Sequence, residues 1–506
     1  MSNRVAIFWP GDYRAKPNEL AEPLVRSKTE QMVRALKKLD KTPYVIDRFL
    51  TRPSEAIEHM GQVNDPAVGL FCHWVYGPHT VDGVVGKTSP LLLASNFDGG
   101  FPGLVGLLNT AACLELMERK SSRLWGNADD WTQDDAFMSR LEEWCRTGEI
   151  KYQTDELHDS VEVSAKAQAF AKAIAEEISL RRILILMLGD TSMGMTNGYF
   201  GPRVLARHGF AEHKVDQAWL PKRMEGIDLA RVEKAFAFLQ DKGVTFHWRE
   251  KDAEDFTEDS TREQLRMYLA VVDLIKEFGA DCLGWQYQLG LVPVTAPSDL
   301  CEGLFNSKCR PESDGEVFIT ATEADQGNVI PMEMMKRLQK KKGLHEAVMF
   351  HDIRWGGEEE GRFLWVLLNS GSCGAYAFNH NPDSLEGAHS FRQPAMYFPN
   401  AGGTFAGVSK PGKVTWARAY LRGDESWMDI GRGEVVDLPT ERVQHYWQST
   451  TPQWPIMMAD LGCSRDALMA HFMSNHIAVS YGDIFEEMVA LSRMLGFRVR
   501  VMSSTL

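Results

Sequence analysis

The first part of the chain alternates short apolar runs with amphipathic stretches. An apolar run at 5–9 ends in Pro-Gly-Asp, and apolar residues then recur at helical spacing over 23–38. Further short apolar runs predict strands at 44–46, 68–71 and 91–94, and the segment 104–118 predicts a helix. This strand–helix rhythm is typical of an α/β domain with a largely parallel sheet.

The same rhythm begins again in the middle of the chain. After a predicted helix at 163–177, a largely apolar strand at 182–189 opens a second series of predicted elements. The series continues with helices at 229–239 and 262–278 and strands at 281–285 and 317–320. We therefore predict a second α/β domain.

The pattern changes after a predicted strand at 348–350. Glycine, aromatic and β-branched residues dominate the rest, and strands are predicted at 364–369, 374–378, 403–409 and 414–420, with a final helix at 484–495. This pattern indicates an antiparallel β-domain or barrel. The expected domains are 1–178 (first α/β, substrate recognition), 179–355 (second α/β, with the candidate carboxylates) and 356–506 (β-rich, with the candidate histidine).

Bulk properties narrow the class of protein. A chain of 506 residues exceeds one hydrophobic core and is long enough for about three domains at roughly 150 residues each. Its formal net charge of -14 disfavours nucleic acid as a partner. Its longest apolar run, 183–188, is too short to cross a membrane, and the N-terminus resembles a strand rather than a signal peptide. We expect a cytoplasmic protein without a membrane partner.

The eight cysteines form no Cys-x-x-Cys pair and no regular framework. We expect them to be reduced thiols of the core.

Three distant residues form a candidate divided metal site. Glu323, Asp352 and His476 offer two carboxylates and one imidazole, a set that suits a divalent ion of the Mn or Mg type better than a structural zinc. No local motif links them, and each alone is equally consistent with a hydrogen-bonded core group. If the three converge, open coordination positions remain for substrate oxygens.

Six short segments carry a resemblance to one enzyme family. They are His-Trp-Val-Tyr-Gly at 73–77, Gly-Asp-Thr-Ser-Met-Gly at 189–194, Gly-Trp-Gln-Tyr-Gln at 284–288, Ala-Thr-Glu at 321–323, Asp-Ile-Arg at 352–354 and Asn-His at 475–476. Because they occur together and in order, the chain resembles the L-fucose isomerase family, which includes D-arabinose isomerases and is more distantly akin to L-arabinose isomerase. The first of these segments is similar to the family's Cys-Trp-Cys-Tyr-Gly. The chain departs from the family at 397–405, which lacks the family's Gly-Gly-Gly-Tyr-Ser-Ser, and after Arg14, where Lys16 and Pro17 stand instead of the family's second arginine and Met-Gly.

The resemblance implies a fold, an assembly and a set of site residues. The fold would be two Rossmann-like α/β domains followed by a C-terminal antiparallel, barrel-like β domain, assembled as a hexamer. Glu323, Asp352 and His476 would bind Mn²⁺, with Mg²⁺ or Co²⁺ as alternatives, and the two carboxylates would act as acid and base. The implied substrate-binding residues are Arg14, Trp74, Gln286, Gln288 and Asn475, of which Arg14 and Trp74 would act on a neighbouring subunit.

The implied reaction interconverts an aldose and its ketose through an enediolate. A divalent ion polarises the carbonyl, and a carboxylate carries the proton between C1 and C2. Trp74 is suited to the apolar face of the sugar, and Gln286 and Gln288, two apart on a predicted strand, would point to the same side. Asp483 is a conceivable acceptor for the second N–H of His476, and His351 is expected to point away from Asp352.

Two other functions stay open at this stage. The same groups would support β-elimination or epimerisation of a modified or anionic sugar, for which Arg14, Lys16 and Arg354 are candidate anion-binding residues. A non-catalytic sugar-binding protein is the third possibility. A nicotinamide enzyme is disfavoured because the glycine turn at 189–194 lacks the full dinucleotide fingerprint.

Overall fold

The computed structural model describes residues 2–127, 129–152, 154, 156–190, 193–345 and 347–504. Within these residues, three large sheets of five, four and eight strands organise the chain. They follow one another along the sequence, as the three patterns of apolar residues predict. No helix in these ranges is both long enough and apolar enough to span a membrane.

The first sheet is parallel and is flanked by helices. Its strands are β1 (Arg4–Pro10), β2 (Thr42–Leu50), β3 (Ala67–Phe71), β4 (Leu91–Asn96) and β5 (Ser122–Gly126), in the order β2-β1-β3-β4-β5. Its helices are α1 (Ala15–Lys38), α2 (Pro53–Gly61), α3 (Pro78–Val84), α4 (Gly103–Leu116) and α5 (Asp135–Thr147). The helix predicted at 23–38 begins at Ala15 instead, because Pro17 sits in its first turn, where no backbone N–H is needed.

The second sheet is also parallel and has four strands. A short strand β6 (Leu157–His158) and helix α6 (Ala165–Arg181) lead into it. It is built from β7 (Ile183–Leu188), β8 (Phe210–Val215), β10 (Cys282–Trp285) and β11 (Thr320–Thr322), in the order β11-β10-β7-β8, and a short β9 (Thr245–Phe246) lies outside it. Its helices are α7 (Gly201–Arg207), α8 (Trp219–Met224), α9 (Leu229–Asp241), α10 (Glu258–Phe278), α11 (Asp299–Phe305) and α12 (Gln326–Lys342).

The third sheet closes into a six-stranded antiparallel barrel. Its elements are β12 (Val348–Glu359), β13 (Arg362–Leu368), α13 (Tyr376–Asn379), β14 (His389–Ser390), β15 (Gly412–Arg422), β16 (Glu425–Val435), α14 (Thr440–Gln448), β17 (Ile456–Asp460), α15 (Arg465–His471), β18 (His476–Tyr481), α16 (Phe485–Met494) and β19 (Arg498–Met502). The barrel order is β15-β18-β12-β13-β17-β16, and β16 pairs with β15 to close it, while β19 and β6 extend the sheet from β16 and β14 pairs with β9. This architecture confirms the predicted fold class; the domain limits at 178 and 355 stay a prediction.

Three details of the barrel region differ from the prediction. Residues 376–379 form the helix α13 rather than a strand, and 403–409 makes only isolated bridges, such as His389 to Ala406. A strand, β19, follows the last helix. Local β-propensity cannot reveal these outcomes, because they depend on which neighbouring strands are available for pairing.

Candidate active site

Two neighbouring barrel strands bring Asp352 and His476 together. In the antiparallel pair of β12 and β18, Asp352 lies directly opposite His476, and Ile353 N–H donates to the Asn475 carbonyl at 2.9 Å. Facing residues of such a pair project to the same side of the sheet. Asp352 Oδ1 therefore lies 3.5 Å from His476 Nε2, and Asn475 Nδ2 donates to the same Oδ1 at 3.1 Å.

Glu323 reaches the same point from the second α/β sheet. It follows β11, and both Glu323 and Ala324 have left-handed backbone angles, with φ of 57° and 55°. Such angles cost on the order of 1 kcal/mol or more for residues other than glycine and are concentrated at functional sites. The turn is fixed by a hydrogen bond from Ala324 N–H to Trp285 O (3.0 Å), and it places Glu323 Oε2 3.8 Å from His476 Nε2.

Asp325 fixes the orientation of the histidine ring. His476 Nδ1 donates to Asp325 Oδ2 at 2.8 Å, and the buried Arg418 donates to the same oxygen. Gly327 makes this possible, because a Cβ there would lie 2.5 Å from Arg418 Nη2 and 2.7 Å from Ala419 O. The sequence-based choice of Asp483 as the histidine's acceptor is therefore wrong; Asp483 Oδ1 lies 3.8 Å from Arg432 Nε instead.

Burial and neighbouring charges raise the pKa of some groups in this cluster and lower the pKa of another. Burial raises the pKa of Glu323 to about 8, with the charge of Asp352 adding to the effect, and burial also raises the pKa of Asp352. Burial opposes the charged forms of Asp325 and His476 too. Their shared hydrogen bond and neighbouring charges outweigh it, so the pKa of Asp325 is lowered and that of His476 is raised.

The donor atoms of this cluster suit a divalent cation. Glu323 Oε2 is buried and has no hydrogen-bond partner within the described chain, while Asp325 leaves His476 Nε2 directed at the two carboxylates. As their side chains are placed, no group of three or more His, Cys, Asp or Glu among the described residues could hold a metal ion. Two ligands at right angles around such an ion would be about 3 Å apart, so only small side-chain movements separate these donors from that arrangement.

A cavity opens onto the cluster and is lined by both polar and apolar side chains. It is lined by seven of the eight residues proposed from the sequence: Arg14, Trp74, Gln288, Glu323, Asp352, Asn475 and His476. Gln286 does not line it, and its Oε1 accepts from Gln217 Nε2 at 2.8 Å. The expectation that Gln286 and Gln288 share one side of a strand is wrong, because β10 ends at Trp285 and Tyr287 has a φ of 48°.

Arg14 and Trp74 line the cavity of their own chain, although the resemblance implies that they act on a neighbour. Arg14 donates to both carboxylate oxygens of Asp12 (2.9 and 2.7 Å) and to Gln288 Oε1 (2.7 Å). Trp74 is buried beside Tyr76, with its indole N–H unpartnered in the described structure. Glu323, Asp352 and His476 are called the metal-type cluster below. One chain thus supplies both this cluster and a wall for a ligand.

Arg354, named from the sequence as a candidate anion-binding residue, also lines the cavity. The rest of the wall comes from residues that the sequence did not single out: Pro102, Val105, Met193, Ser370, Tyr397, Phe398 and Trp454. Lys16, considered with Arg354 for anion binding, lies on the surface and pairs with Glu19 at 3.1 Å. His351 does not line the cavity, as expected. Of the segment 189–194, Thr191 and Ser192 lie outside the described residues.

Asp325 is the main functional residue that sequence reasoning missed. The signal was present, since Asp325 is two residues from Glu323 in Ala-Thr-Glu-Ala-Asp, where a turn brings both to one site. Tyr397 and Trp454 carried no such signal, because long irregular segments place them.

Comparison with known proteins gives a consistent result. Residues 367–503 match the family model of the L-fucose isomerase C-terminal domain. The L-fucose isomerase of Bacteroides thetaiotaomicron is 25% identical over 413 residues, which cover 66% of this chain and 67% of the relative. The L-fucose isomerase of Vibrio vulnificus is 22% identical over 409 residues, 69% of each chain.

Proposed function

We propose that this chain is an isomerase of the L-fucose isomerase family and that it interconverts an aldose and its ketose at the cavity described above. The match of residues 367–503 and the similarity to L-fucose isomerases support this proposal. The sugar is fucose-like, a pentose or a related compound. The observation that carries the proposal is the convergence of Glu323, Asp352 and His476 on one cavity from two different sheets.

In this proposal Glu323 and Asp352 divide the proton chemistry. Isomerisation removes a proton from one carbon and returns it to the next, so a carboxylate must accept and release a proton near neutral pH. Burial raises the pKa of Glu323, whereas a bound cation would favour its charged form, so these opposing effects tune the two carboxylates. Asn475 holds the Asp352 carboxylate in place through its hydrogen bond of 3.1 Å.

A divalent cation held by Glu323, Asp352 and His476 completes the proposed site. When bound, it would polarise the sugar carbonyl and stabilise the negative charge of an enediolate. We propose Mn²⁺, with Mg²⁺ or Co²⁺ as alternatives, because the donors are two carboxylates and one imidazole. Asp325 contributes by keeping the His476 ring in the tautomer and orientation that leave Nε2 free.

Three further residues are proposed to bind the substrate. Gln288 is held by Arg14, and both line the cavity with amide and guanidinium groups that suit sugar hydroxyls. Trp74 adds an apolar face to the wall.

The proposal extends to assembly and location. A hexamer is proposed from the resemblance, and a cytoplasmic location from the eight cysteines, all of which are unpaired in the structure.

The test measures proton exchange at C1 and C2 of the sugar. Metal-stripped protein is restored with Mn²⁺ and incubated in D₂O with neutral and acidic aldoses and ketoses, including L-fucose and D-arabinose, and NMR follows deuterium at C1 and C2. Deuterium entering together with formation of the other sugar form establishes the isomerase. Exchange without that product would indicate elimination or epimerisation, and no exchange with any sugar would contradict the proposal.

A further inference from the structure

Arg354 occupies a special place in the wall of the cavity. The pairing of β12 with β13 shifts between Ile353 and Trp355, so Arg354 is the extra, unpaired residue of a β-bulge. Bulges redirect side chains and are frequent beside active sites. Here the bulge lies two residues after Asp352, and the Arg354 side chain lines the same cavity.

The guanidinium of Arg354 has no acceptor in the described structure. The residue is only 3% exposed, its Nε is buried without a hydrogen-bond partner, and no ion pair involves it within the described ranges. An arginine has five N–H donors and no acceptor. Leaving a buried charge unpaired costs several kcal/mol, so native arginines in such places normally meet an anion.

The other charges around the cavity already have partners. Asp12 balances Arg14, and Asp325 serves both Arg418 and His476. Glu323 and Asp352 together match the two charges of a divalent cation. The Asp98 carboxylate accepts from Gly100 N–H and Asn96 Nδ2 and makes no ion pair with Arg354. The positive charge of Arg354 is therefore left over.

A second unpartnered group lines the same cavity as Arg354. The Tyr397 hydroxyl is buried and has no hydrogen-bond partner in the described chain. Tyr397 belongs to 397–405, the segment that departs from the family pattern. A guanidinium beside a phenol O–H presents donors where the ligand must supply acceptors, and an oxyanion has acceptors alone.

We infer that the substrate is an acidic sugar whose carboxylate, phosphate or sulfonate group is bound by Arg354 and Tyr397. The inference rests on the proposed function for the sugar and its isomerisation, and it deepens that function by naming the substrate class. The metal-type cluster acts on C1 and C2, and Arg354 holds the charged group of the same molecule.

Binding of a simple oxyanion tests the anion site without any chemistry. Inorganic sulfate is titrated into the full-length protein at constant ionic strength by calorimetry, with chloride as the competing salt. We expect sulfate to bind, Arg354→Gln to weaken it on the order of 10- to 100-fold, Arg354→Lys to weaken it less, and Tyr397→Phe to weaken it by a smaller factor.

A matched control separates this effect from a general loss of a buried arginine. Arg310 is also buried and lies outside the cavity, with its Nη2 3.2 Å from Asp314 Oδ1. Arg310→Gln should leave sulfate affinity unchanged. If the wild type does not bind sulfate, or if Arg354→Gln and Arg354→Lys bind it as well as the wild type, the inference is wrong.

Kinetics then identifies the substrate class. For neutral aldoses and their 6-carboxylate, 6-phosphate and 6-sulfonate counterparts, we expect kcat/KM to favour an acidic member at least tenfold, and Arg354→Gln to remove that preference. Equal turnover of a neutral sugar and its acidic counterparts would overturn the inference while leaving the isomerase intact. Sulfate binding through Arg354 without exchange on any sugar would instead contradict the proposed function alone.

Discussion

His476 Nδ1 lies 2.8 Å from Asp325 Oδ2, and both side chains are fully enclosed by protein. This contact fixes which ring nitrogen faces the cavity. We expect Asp325→Asn to lower Mn²⁺ affinity by about 10- to 100-fold, as loss of a ligand-orienting partner does in metal sites. Calorimetric titration of the metal-stripped variant measures the effect, and excess Mn²⁺ should restore part of the turnover.

Asp429→Asn is the matched control for that variant. Asp429 is a fully buried carboxylate that accepts from Arg500 at 2.9 and 2.7 Å, away from the cavity. Its loss should destabilise the fold by a few kcal/mol and leave Mn²⁺ affinity unchanged. An equal fall in metal affinity in both variants would show that Asp325 acts through general stability.

Glu323→Gln should lower turnover by roughly 10²- to 10⁴-fold, because an amide cannot accept and return a proton. Deuterium exchange in D₂O should fall by the same factor, and thermal unfolding checks the fold. Glu302→Gln is the control, since Glu302 is a buried acid outside the cavity wall. Near-normal exchange in Glu323→Gln would remove this residue from the proposed proton path.

Mn²⁺ should stabilise the folded protein independently of any sugar. An ion that binds the native state alone adds about 2.7 kcal/mol to the free energy of unfolding at one hundred times its Kd. Denaturant melts with and without Mn²⁺ measure this gain, which His476→Gln should lose. His208→Gln, at a buried histidine bonded to Leu495 O, should keep it. A gain that survives in His476→Gln would place the ion elsewhere.

Gln288 and Gln286 form a natural pair for testing the cavity wall. Gln288 lines the cavity, whereas Gln286 bonds to Gln217 behind it. We expect Gln288→Ala to raise KM by about tenfold with a smaller change in kcat, the usual scale for one polar contact. Gln286→Ala should affect thermal stability and leave KM nearly unchanged. The reverse order in steady-state kinetics would contradict the assignment.

His73 should make the protein acid-sensitive. Burial lowers the pKa of His73 to about 4 from an ordinary value of 6.5. Between these values the unfolded chain binds the extra proton, so stability falls as the pH drops from 6.5 to 4, by about 3 kcal/mol in total. His73→Cys, which restores the residue found in the related family, should flatten this part of the pH profile. Denaturant melts at pH 4 to 7 provide the measurement, and an unchanged slope would contradict the shift.

Fold and site were predictable to different degrees. Short apolar runs and helical patterns located most strands of both parallel sheets, because most of these strands are buried along nearly their whole length, as Ile183–Leu188 is. The convergence of Glu323, Asp352 and His476 could be reached by resemblance but not by periodicity, since it depends on how a barrel packs against a parallel sheet. The turn that separates Gln286 from Gln288 could not be predicted from the sequence, because a tyrosine side chain does not indicate the positive φ that Tyr287 adopts.

The unpaired charge of Arg354 is a second feature that the sequence alone could not predict. Its position two residues after Asp352 was clear, but its lack of an ion pair among the described residues depends on side chains from distant segments. Charge counting along a sequence cannot show that Asp12 is already committed to Arg14 or Asp325 to Arg418.

Because Asp352 pairs directly with His476, the site is complete only when strands β12 and β18 are correctly aligned. A slip of one residue between β12 and β18 would turn one of the two side chains to the other face of the barrel. Since β18 is the last of the six barrel strands to be translated, a nascent chain has no complete site until that strand is made and docked. Binding of the proposed metal would then stabilise the correctly aligned barrel relative to any shifted version. Formation of the site and selection of the correct strand register would occur in the same step.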